Sequence, residues 1–486
     1  MLLRLEGHGS LHQQLYRALR DLIRSGKWQQ GKRLPASRAL ALELGISRNV
    51  VLMAYEELVA EGYVRCRMGS GTFVSAALPD SMLAAGRSSG SPSAPPGSQQ
   101  PIFSNYGQRV LGKGPSPTAR STQRERPIPY DFQYGLSSTE DFPHALWRRL
   151  TARRLRVLSS DYDLQEGFVP LRAAIADYLQ RFRAVNCLPE QILVVTGSQQ
   201  ALDIASRLLL NPGNSVVIED PHYQGAREMF QSAGAKIIPV PVDQQGLRVD
   251  LLPRSSGAAR LAYVTPSHQF PTGAILSLDR RLSLLAWASR NQAYILEDDF
   301  DAEFRYTGRP LESMQGLDRA GRVIYIGTFS RIFFPSMRVG YMVLPQPLVR
   351  AFSEAKWLTD RHTPTLEQEV LTDFIQEGHL ERYLRRSRSR NASRRAALLS
   401  ALRKYFGDSI EISGADAGIH VMVRLKRASA IQLPALIERA ATEGVGIYPA
   451  TPYYLKKPRH AEVLLGYSAL SERELHEGIR ILSQVC

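Results

Sequence analysis

A long segment poor in apolar residues divides this chain into two parts that have to fold separately. Residues 77–127 are rich in Ser, Gly and Pro, most densely between Gly86 and Gly97. Such a segment buries too little apolar surface to offset the entropy of ordering it, so it predicts a flexible linker. Residues 10–76 are dense in helical patterns. Residues 128–486 alternate short apolar runs with longer helical patterns, which predicts α/β architecture.

The N-terminal part carries three helical patterns followed by a glycine-rich turn. The first pattern covers residues 11–25, and the second opens at Ser37, a predicted N-cap, and stops at Gly45. The third covers residues 48–61, and two short strands are expected on either side of residues 67–71. Two short helices joined by a Gly-containing turn predict a helix-turn-helix, and the strands predict a small wing.

Polar and basic side chains occupy the positions of this module where DNA contact would need them. Ser47, Arg48 and Asn49 begin the third helix, which would enter the major groove, where Arg suits guanine and Asn suits adenine. The other candidates for contact with phosphates or the minor groove are Arg33, Ser37, Arg38, Arg67, Gly69 and Ser70. Any one of them alone would more often be a solvated surface residue. The joint pattern predicts binding to double-stranded DNA.

Composition bounds the class of protein less tightly than these patterns do. The formal net charge of +15 favours a polyanionic partner, but only nine of the 61 basic residues are lysine, which also fits a general preference for arginine. The three cysteines are scattered and predict neither a metal site nor a disulfide framework. No apolar run is long enough to span a bilayer, so we expect a cytoplasmic protein without a membrane partner.

The C-terminal part contains apolar strands that end in polar turns. Residues 192–202 predict a strand, a Gly turn and the start of a helix, where the backbone amides of Ser198 and Gln199 would meet a phosphate. Further motifs of this kind lie at residues 217–223, 264–273 and 294–306. A last one, residues 325–341, contains the run Tyr-Ile-Gly-Thr-Phe-Ser-Arg.

These motifs stand in the order found in fold-type I enzymes that use pyridoxal phosphate (PLP), and residues 11–76 resemble a GntR-type winged helix. The motifs that carry the second resemblance are Leu34–Arg38, Leu44–Asn49, Ala54–Leu58, Glu61–Tyr63 and Gly69–Val74. The fusion resembles the MocR subfamily of GntR-type transcription regulators. It implies a winged helix-turn-helix, helical with a small β wing, and a fold-type I aminotransferase-like α/β domain. That domain would have a large, mostly parallel sheet and a smaller C-terminal α+β part. A head-to-tail homodimer on operator DNA is also implied.

The resemblance also assigns roles in a PLP pocket to individual residues. Tyr223 is placed like the aromatic ring that stacks on the pyridine, and Asp298 like the carboxylate that holds the ring nitrogen. Thr328 and Arg338 are placed like phosphate ligands. With the helix start described above, the candidate cofactor-binding residues are Ser198, Gln199, Tyr223, Asp298, Thr328 and Arg338.

Two central positions depart from the family pattern. Arg331 stands where the lysine that forms the Schiff base belongs, and Phe300 stands where a tyrosine would hydrogen-bond the 3-oxygen of PLP. A guanidinium stays protonated and is not the free amine that condenses with an aldehyde. None of the nine lysines lies in a motif that could replace the missing one. We therefore expect no catalytic residue, no internal aldimine and no aminotransferase activity.

The sequence leaves three alternatives for this domain open. In the first, which it favours slightly, the pocket senses an effector and still binds PLP, a related vitamer or an amino acid without a covalent bond. In the second, Arg331 fills the site of the lysine, pairs with a carboxylate such as Asp298, and leaves only a dimerisation scaffold. In the third, the chain is a working PLP enzyme with an incidental DNA-binding head.

Overall fold

The computed structural model describes residues 5, 9–67, 70–76, 78, 101–112, 128–138, 142–157, 161–255, 257–307 and 312–486. The chain forms two compact units, residues 1–101 and 102–486. Within the described part, every helix is too short or too polar to cross a membrane.

The first unit is a winged helix-turn-helix, as predicted. Its elements are α1 (Leu11–Arg24), α2 (Ser37–Leu44), α3 (Arg48–Ala60), β1 (Val64–Arg67) and β2 (Gly71–Val74). The two strands pair antiparallel, with Val64 opposite Val74. Leu15, Leu19 and Leu58 are fully buried. The i, i+4 spacing of Leu15 and Leu19 puts both side chains on one face of α1.

The ends of α2 and α3 are set by local backbone chemistry. Gly45 ends α2 in the left-handed conformation, with φ at 66°, as the sequence predicted. The predicted N-cap of α2 is wrong by one residue, because the chain enters the helix at Ala36 and Ser37 is already helical. Ser47 caps α3, and its side-chain oxygen accepts a hydrogen bond from the amide of Val50 at 3.4 Å.

The second unit is built on an eight-stranded sheet in the order β4-β11-β10-β9-β8-β5-β6-β7. Its strands are β4 (Ile192–Val195), β5 (Ser215–Asp220), β6 (Lys236–Asp243), β7 (Gly246–Leu247), β8 (Leu261–Val264), β9 (Tyr294–Asp299), β10 (Val323–Thr328) and β11 (Gly340–Val343). β10, β9, β8, β5 and β6 run parallel, whereas β11 and β7 pair antiparallel with their neighbours. The carboxyl ends of the central strands therefore meet at one edge, where α/β folds place ligands.

Helices surround this sheet and cover its buried strands. They are α5 (His144–Leu155), α6 (Val169–Arg183), α7 (Ser198–Leu209), α8 (Gln224–Ser232), α9 (Leu278–Asn291), α10 (Met314–Leu317), α11 (Val349–Asp360) and α12 (Thr365–Gln376). β4, β8 and β11 are buried along their whole length, so the sequence shows them as continuous apolar runs.

The C-terminal part forms a smaller α+β layer, as expected. The strands β12 (Ile410–Ser413), β13 (His420–Ser429), β15 (Tyr448–Pro449) and β16 (His460–Gly466) make an antiparallel sheet, ordered β12-β13-β16-β15. Its helices are α13 (His379–Phe406), α14 (Leu433–Thr442) and α15 (Glu472–Val485). The strand β3 (Tyr130–Asp131) runs parallel to β14 (Val445–Gly446), so a segment that precedes the large sheet in the chain joins this smaller layer.

Part of the segment predicted as linker is helical. α4 (Asn105–Leu111) is capped by Ser104, whose hydroxyl accepts a hydrogen bond from the amide of Gly107 at 3.2 Å. The Arg109 side chain donates to the carbonyl of Ser232 at 2.8 Å, which ties α4 to the end of α8. Composition predicts flexible chain here, because the apolar residues of α4 stay exposed and its polar contact comes from a segment distant in sequence.

Candidate functional site

The start of α3 presents the predicted base-reading residues to solvent. Ser47, Arg48 and Asn49 are all exposed, and the Nε of Arg48 donates to the hydroxyl of Ser37 at 3.3 Å. Among the other candidates, the exposed ones are Arg33, Arg38, Arg67 and Ser70, and Ser37 is half-buried, whereas Gly69 lies outside the described residues. The basic side chains therefore remain accessible to a polyanion, as DNA contact requires.

The wing is tied to the chain segment that precedes α2. The amide of Leu34 donates to the carbonyl of Thr72 at 2.8 Å. Gly71 has φ at 109°, and a Cβ there would come within 2.8 Å of the Nε of Arg33, so this position needs glycine. The guanidinium of Arg67 lies 5.4 Å from the ring centre of Phe73. Arg33 and Arg67 are thus held by the same small hairpin.

One cavity of about 160 Å³ in the second unit collects the residues predicted to bind PLP. All six predicted residues line it, and so do Arg331 and Phe300, the two positions predicted to depart from the family pattern. They come from the ends of β9 and β10, from the starts of α7 and α8 and, for Arg338, from the turn before β11, as expected for a site at the carboxyl edge of the sheet. The structure thus brings together residues up to 140 positions apart, from Ser198 to Arg338.

One end of the cavity has the chemistry of an anion site. Ser198 is the first residue of α7, so the helix dipole and its free amides point there. A Cβ on Gly197 would lie 2.8 Å from an Nη of Arg338, which shows that this guanidinium rests against bare backbone. Arg338 itself has φ at 52°, a strained conformation of the kind that clusters at ligand sites. Thr328 accepts a hydrogen bond from the amide of Ser330 at 3.1 Å, while the buried Ser330 hydroxyl has no partner among the described residues.

Asp298 lies buried at another wall of the cavity. Its Oδ2 accepts a hydrogen bond from the hydroxyl of Tyr263 at 2.8 Å, whereas its Oδ1 has no partner among the described residues. Burial raises the pKa of Asp298 to about 7, although the Tyr263 hydroxyl and the positive charge of Arg331 oppose that shift. A cationic ring nitrogen next to Oδ1 would supply the missing partner.

Aromatic side chains form the remaining wall. The ring centre of Phe270 lies 6.0 Å from that of Phe300 and 6.1 Å from that of Tyr223. Tyr134 and Tyr453 approach from the smaller layer, and their hydroxyls are hydrogen-bonded to each other. Phe300 therefore extends an apolar ring cluster, and it has no hydroxyl to offer a ring substituent.

Arg331 follows β10 and is held by the segment after β3. One Nη of Arg331 donates to the carbonyl of Gly135, and the Ser137 hydroxyl donates to the backbone carbonyl of Arg331 at 2.6 Å. Within the described part of the chain, no carboxylate lies within 4.0 Å of the guanidinium of Arg331 or Arg338. The ion pair between Arg331 and Asp298 that one alternative assumed is therefore not formed, and Arg331 faces the cavity.

Sequence reasoning missed several residues of this cavity. Tyr263 lies in the buried run of β8, where the need of a buried hydroxyl for a partner was a usable signal. Ser330 stands directly before Arg331 and was overlooked, although it belongs to the same motif. Gly135 and Ser137 carry no local signal, because they meet Arg331 from more than 190 positions away in the chain.

Comparisons with known proteins agree with this architecture. Residues 11–74 match the gntR family of bacterial regulatory proteins, and residues 152–481 match the family of class I and II aminotransferases. A probable rhizopine catabolism regulatory protein, MocR of Rhizobium meliloti, is 38% identical over 477 residues, which are 97% of this chain and 93% of that protein.

Solved aminotransferases resemble the second unit. Kynurenine aminotransferase of Pyrococcus horikoshii has a TM-score of 0.72 at 28% identity, covering 79% of this chain and 96% of that one. The α-aminoadipate aminotransferase LysN of Thermus thermophilus, complexed with N-(5′-phosphopyridoxyl)-L-leucine, has a TM-score of 0.70 at 29% identity, with the same two shares covered.

Fold, site and comparisons define a class of protein: a transcription regulator in which a DNA-binding GntR module is fused to an aminotransferase-like domain. Within that class, the chain belongs to the MocR subfamily, whose members it matches over nearly its whole length.

Proposed function

We propose that this regulator senses a phosphorylated pyridine ligand, PLP or a related vitamer, which it binds without a covalent bond, and that it does not transaminate. The observation that carries the proposal is the position of Arg331. It replaces the lysine at the wall of a cavity whose anion site and ring-nitrogen partner are both present. The domain thus keeps the parts that bind and lacks the part that reacts.

The residues of the cavity fit the phosphate and the pyridine ring of such a ligand. Ser198, Thr328 and Arg338 would hold its phosphate at the start of α7, and Tyr223 would cover one face of the ring. The Oδ1 of Asp298 is a buried acceptor in need of a donor, and a protonated ring nitrogen would fill that need. When bound, the ring is an electron sink, and this property requires the neighbouring carboxylate.

The residues of this cavity do not supply the remaining chemistry. Transamination needs an amine that bonds to the cofactor and then carries a proton between two carbons, and lysine does both. Arg331 holds its proton at any working pH. Phe300 lies in an aromatic cluster and cannot donate to the ring oxygen. The wall of this cavity therefore orients and neutralises a ligand but offers no amine to bond to it or to carry a proton between its carbons.

The second part of the proposal concerns DNA and assembly. The accessible Arg48 and Asn49 at the start of α3 would read bases in the major groove, and the basic wing would contact the backbone. A head-to-tail homodimer would present two such modules to paired half-sites of an operator. Ligand binding at the cavity would then change how the dimer engages that operator.

The test of the sensing proposal combines calorimetry with mass spectrometry. Titration of PLP into the full-length protein should release or absorb heat, and the same titration into Arg338→Ala should show much weaker binding. Treatment of the PLP-loaded protein with borohydride should leave its intact mass unchanged. A reduced adduct on any lysine would refute non-covalent binding, and an amino-group transfer assay above background would refute the loss of activity. If PLP produces no measurable heat with either protein, the result would instead support a domain that serves only as a dimerisation scaffold.

A further inference from the structure

Two guanidinium groups line the cavity, and only one of them lies at the anion site. Arg338 belongs to the anion site at the start of α7, and Arg331 lines the same cavity from the end of β10. Neither guanidinium has a carboxylate within 4.0 Å among the described residues. The nearby Asp298 does not balance this charge fully, because burial raises its pKa to about 7, so it is partly protonated near neutrality.

Arg331 is also positioned in advance for a ligand. Its carbonyl accepts from Ser137 at 2.6 Å, and one of its Nη atoms donates to the carbonyl of Gly135. Gly135 has φ at 79°, and a Cβ there would overlap the Arg331 guanidinium, so the glycine makes room for this contact. A neutral carbonyl satisfies one donor of the five on a guanidinium and leaves its charge uncompensated.

The position of Arg331 indicates which part of a ligand it would meet. Because it replaces the lysine that would bond to the 4-substituent of the ring, its charge would face that substituent. A carboxylate there would gain a charge-assisted hydrogen bond, an aldehyde would gain less, and an ammonium group would be repelled.

We propose that Arg331 is a specificity-determining residue, which makes the cavity select a phosphorylated pyridine with a second acidic group over one with an amine. This inference rests on the sensing function proposed above and narrows the ligand class to compounds with two separate acidic groups, a phosphate and a carboxylate. It gives the arginine a function of its own, beyond the loss of the lysine.

Three ligands that share ring and phosphate test this selection. They are 4-pyridoxic acid 5′-phosphate, PLP and pyridoxamine 5′-phosphate, whose 4-substituents are a carboxylate, an aldehyde and an ammonium group. Calorimetry on the full-length protein at pH 7.5 should rank their affinities in that order, with at least a tenfold difference between acid and amine. Such a ratio corresponds to about 1.4 kcal/mol, a modest value for a charged hydrogen bond.

Two substitutions at Arg331 separate charge from shape. Arg331→Gln removes the charge and should bring the affinities for acid and amine within about threefold of each other. Arg331→Lys keeps the charge and should keep the acid ahead of the amine, which also guards against a folding defect in the glutamine variant. Arg338→Ala should weaken all ligands by a similar factor, because the phosphate is common to them.

The outcomes distinguish this inference from the function it rests on. If none of the ligands binds the wild-type protein, the sensing function fails, and the selection fails with it. If all bind with equal affinity, or if the ranking survives in Arg331→Gln, sensing stands and the role of Arg331 is refuted.

Discussion

Replacing Asp298 by asparagine should remove a specific part of the pH dependence of stability. The pKa of this carboxyl rises from an ordinary 3.8 to about 7 because the side chain is buried and leaves Oδ1 without a partner. Between pH 3.8 and 7, the carboxyl of Asp298 is ionised in the unfolded chain but protonated in the folded protein. The contribution of Asp298 to the free energy of unfolding is therefore fully present below about pH 4 and is lost as the pH rises through 7.

The expected magnitude follows from that shift. At about 1.36 kcal/mol for each pH unit, the ionisation of Asp298 costs the ligand-free protein roughly 4 kcal/mol by pH 8, and about two thirds of this falls between pH 5 and 8. Asp298→Asn keeps an oxygen to accept from Tyr263 and never ionises. Its advantage over the wild type should therefore grow with pH.

Denaturant unfolding of ligand-free protein at several pH values measures this difference, with fluorescence as the signal. Burial also raises the pKa of Glu219, Glu297 and Glu303 to about 7, and these groups are common to both proteins. The comparison therefore removes their effect, apart from the minor part of the Glu219 shift that the charge of Asp298 causes. Asp408→Asn, at an exposed turn, is the matched control and should run parallel to the wild type. Parallel curves for Asp298→Asn as well would show that this carboxyl ionises in the folded protein as it does in water.

Three further predictions test the departure from the family, the DNA interface and the first unit. Arg331→Lys restores an amine at the cavity wall, so PLP and borohydride should add a stable mass at residue 331; an unmodified variant would show that its geometry is wrong for bonding. Arg48→Ala or Asn49→Ala should each cost roughly 1–3 kcal/mol at the operator and relax base preference in a gel-shift assay, and unchanged binding would refute the assignment of α3. Leu58→Ala should destabilise the first unit by about 2–5 kcal/mol in thermal unfolding, whereas the exposed Leu42→Ala should change it little; equal effects would contradict the described core.

The sequence predicted much of this fold because several of its signals are local. Gly45 and the buried runs of β4 and β8 depend on neighbours in the chain, so backbone conformation and periodicity were enough to place them. α4 was missed because its composition resembles a linker and its contact with Ser232 comes from 123 positions away. Local propensity does not contain information of that kind.

The cavity also combines features that local sequence signals predict with contacts that they do not. The run after β10 predicted that Arg331 replaces a lysine, because one motif indicates where that lysine would stand. The motif did not predict which groups Arg331 contacts. The ion pair with Asp298, one of the alternatives, is not formed. Asp298 accepts a hydrogen bond from Tyr263, and Arg331 donates one to Gly135, which is distant in the chain. Which of several polar groups pair inside a cavity depends on distances of a few ångströms between strands and loops, which no pattern of residue types encodes.

The unsatisfied groups of this cavity favour a pocket built to be occupied over a closed scaffold. Proteins leave few buried polar atoms without a partner, because each costs about 1–3 kcal/mol. Here the Oδ1 of Asp298 and the hydroxyl of Ser330 are both buried and both lack a partner among the described residues. A scaffold would gain stability by filling this space with apolar side chains. A ligand present at a hundred times its dissociation constant returns about 2.7 kcal/mol to the folded state. That is comparable to the cost of the unpaired groups, so a regulator with such a pocket can differ in stability between its free and bound states, and this difference is what a sensor needs.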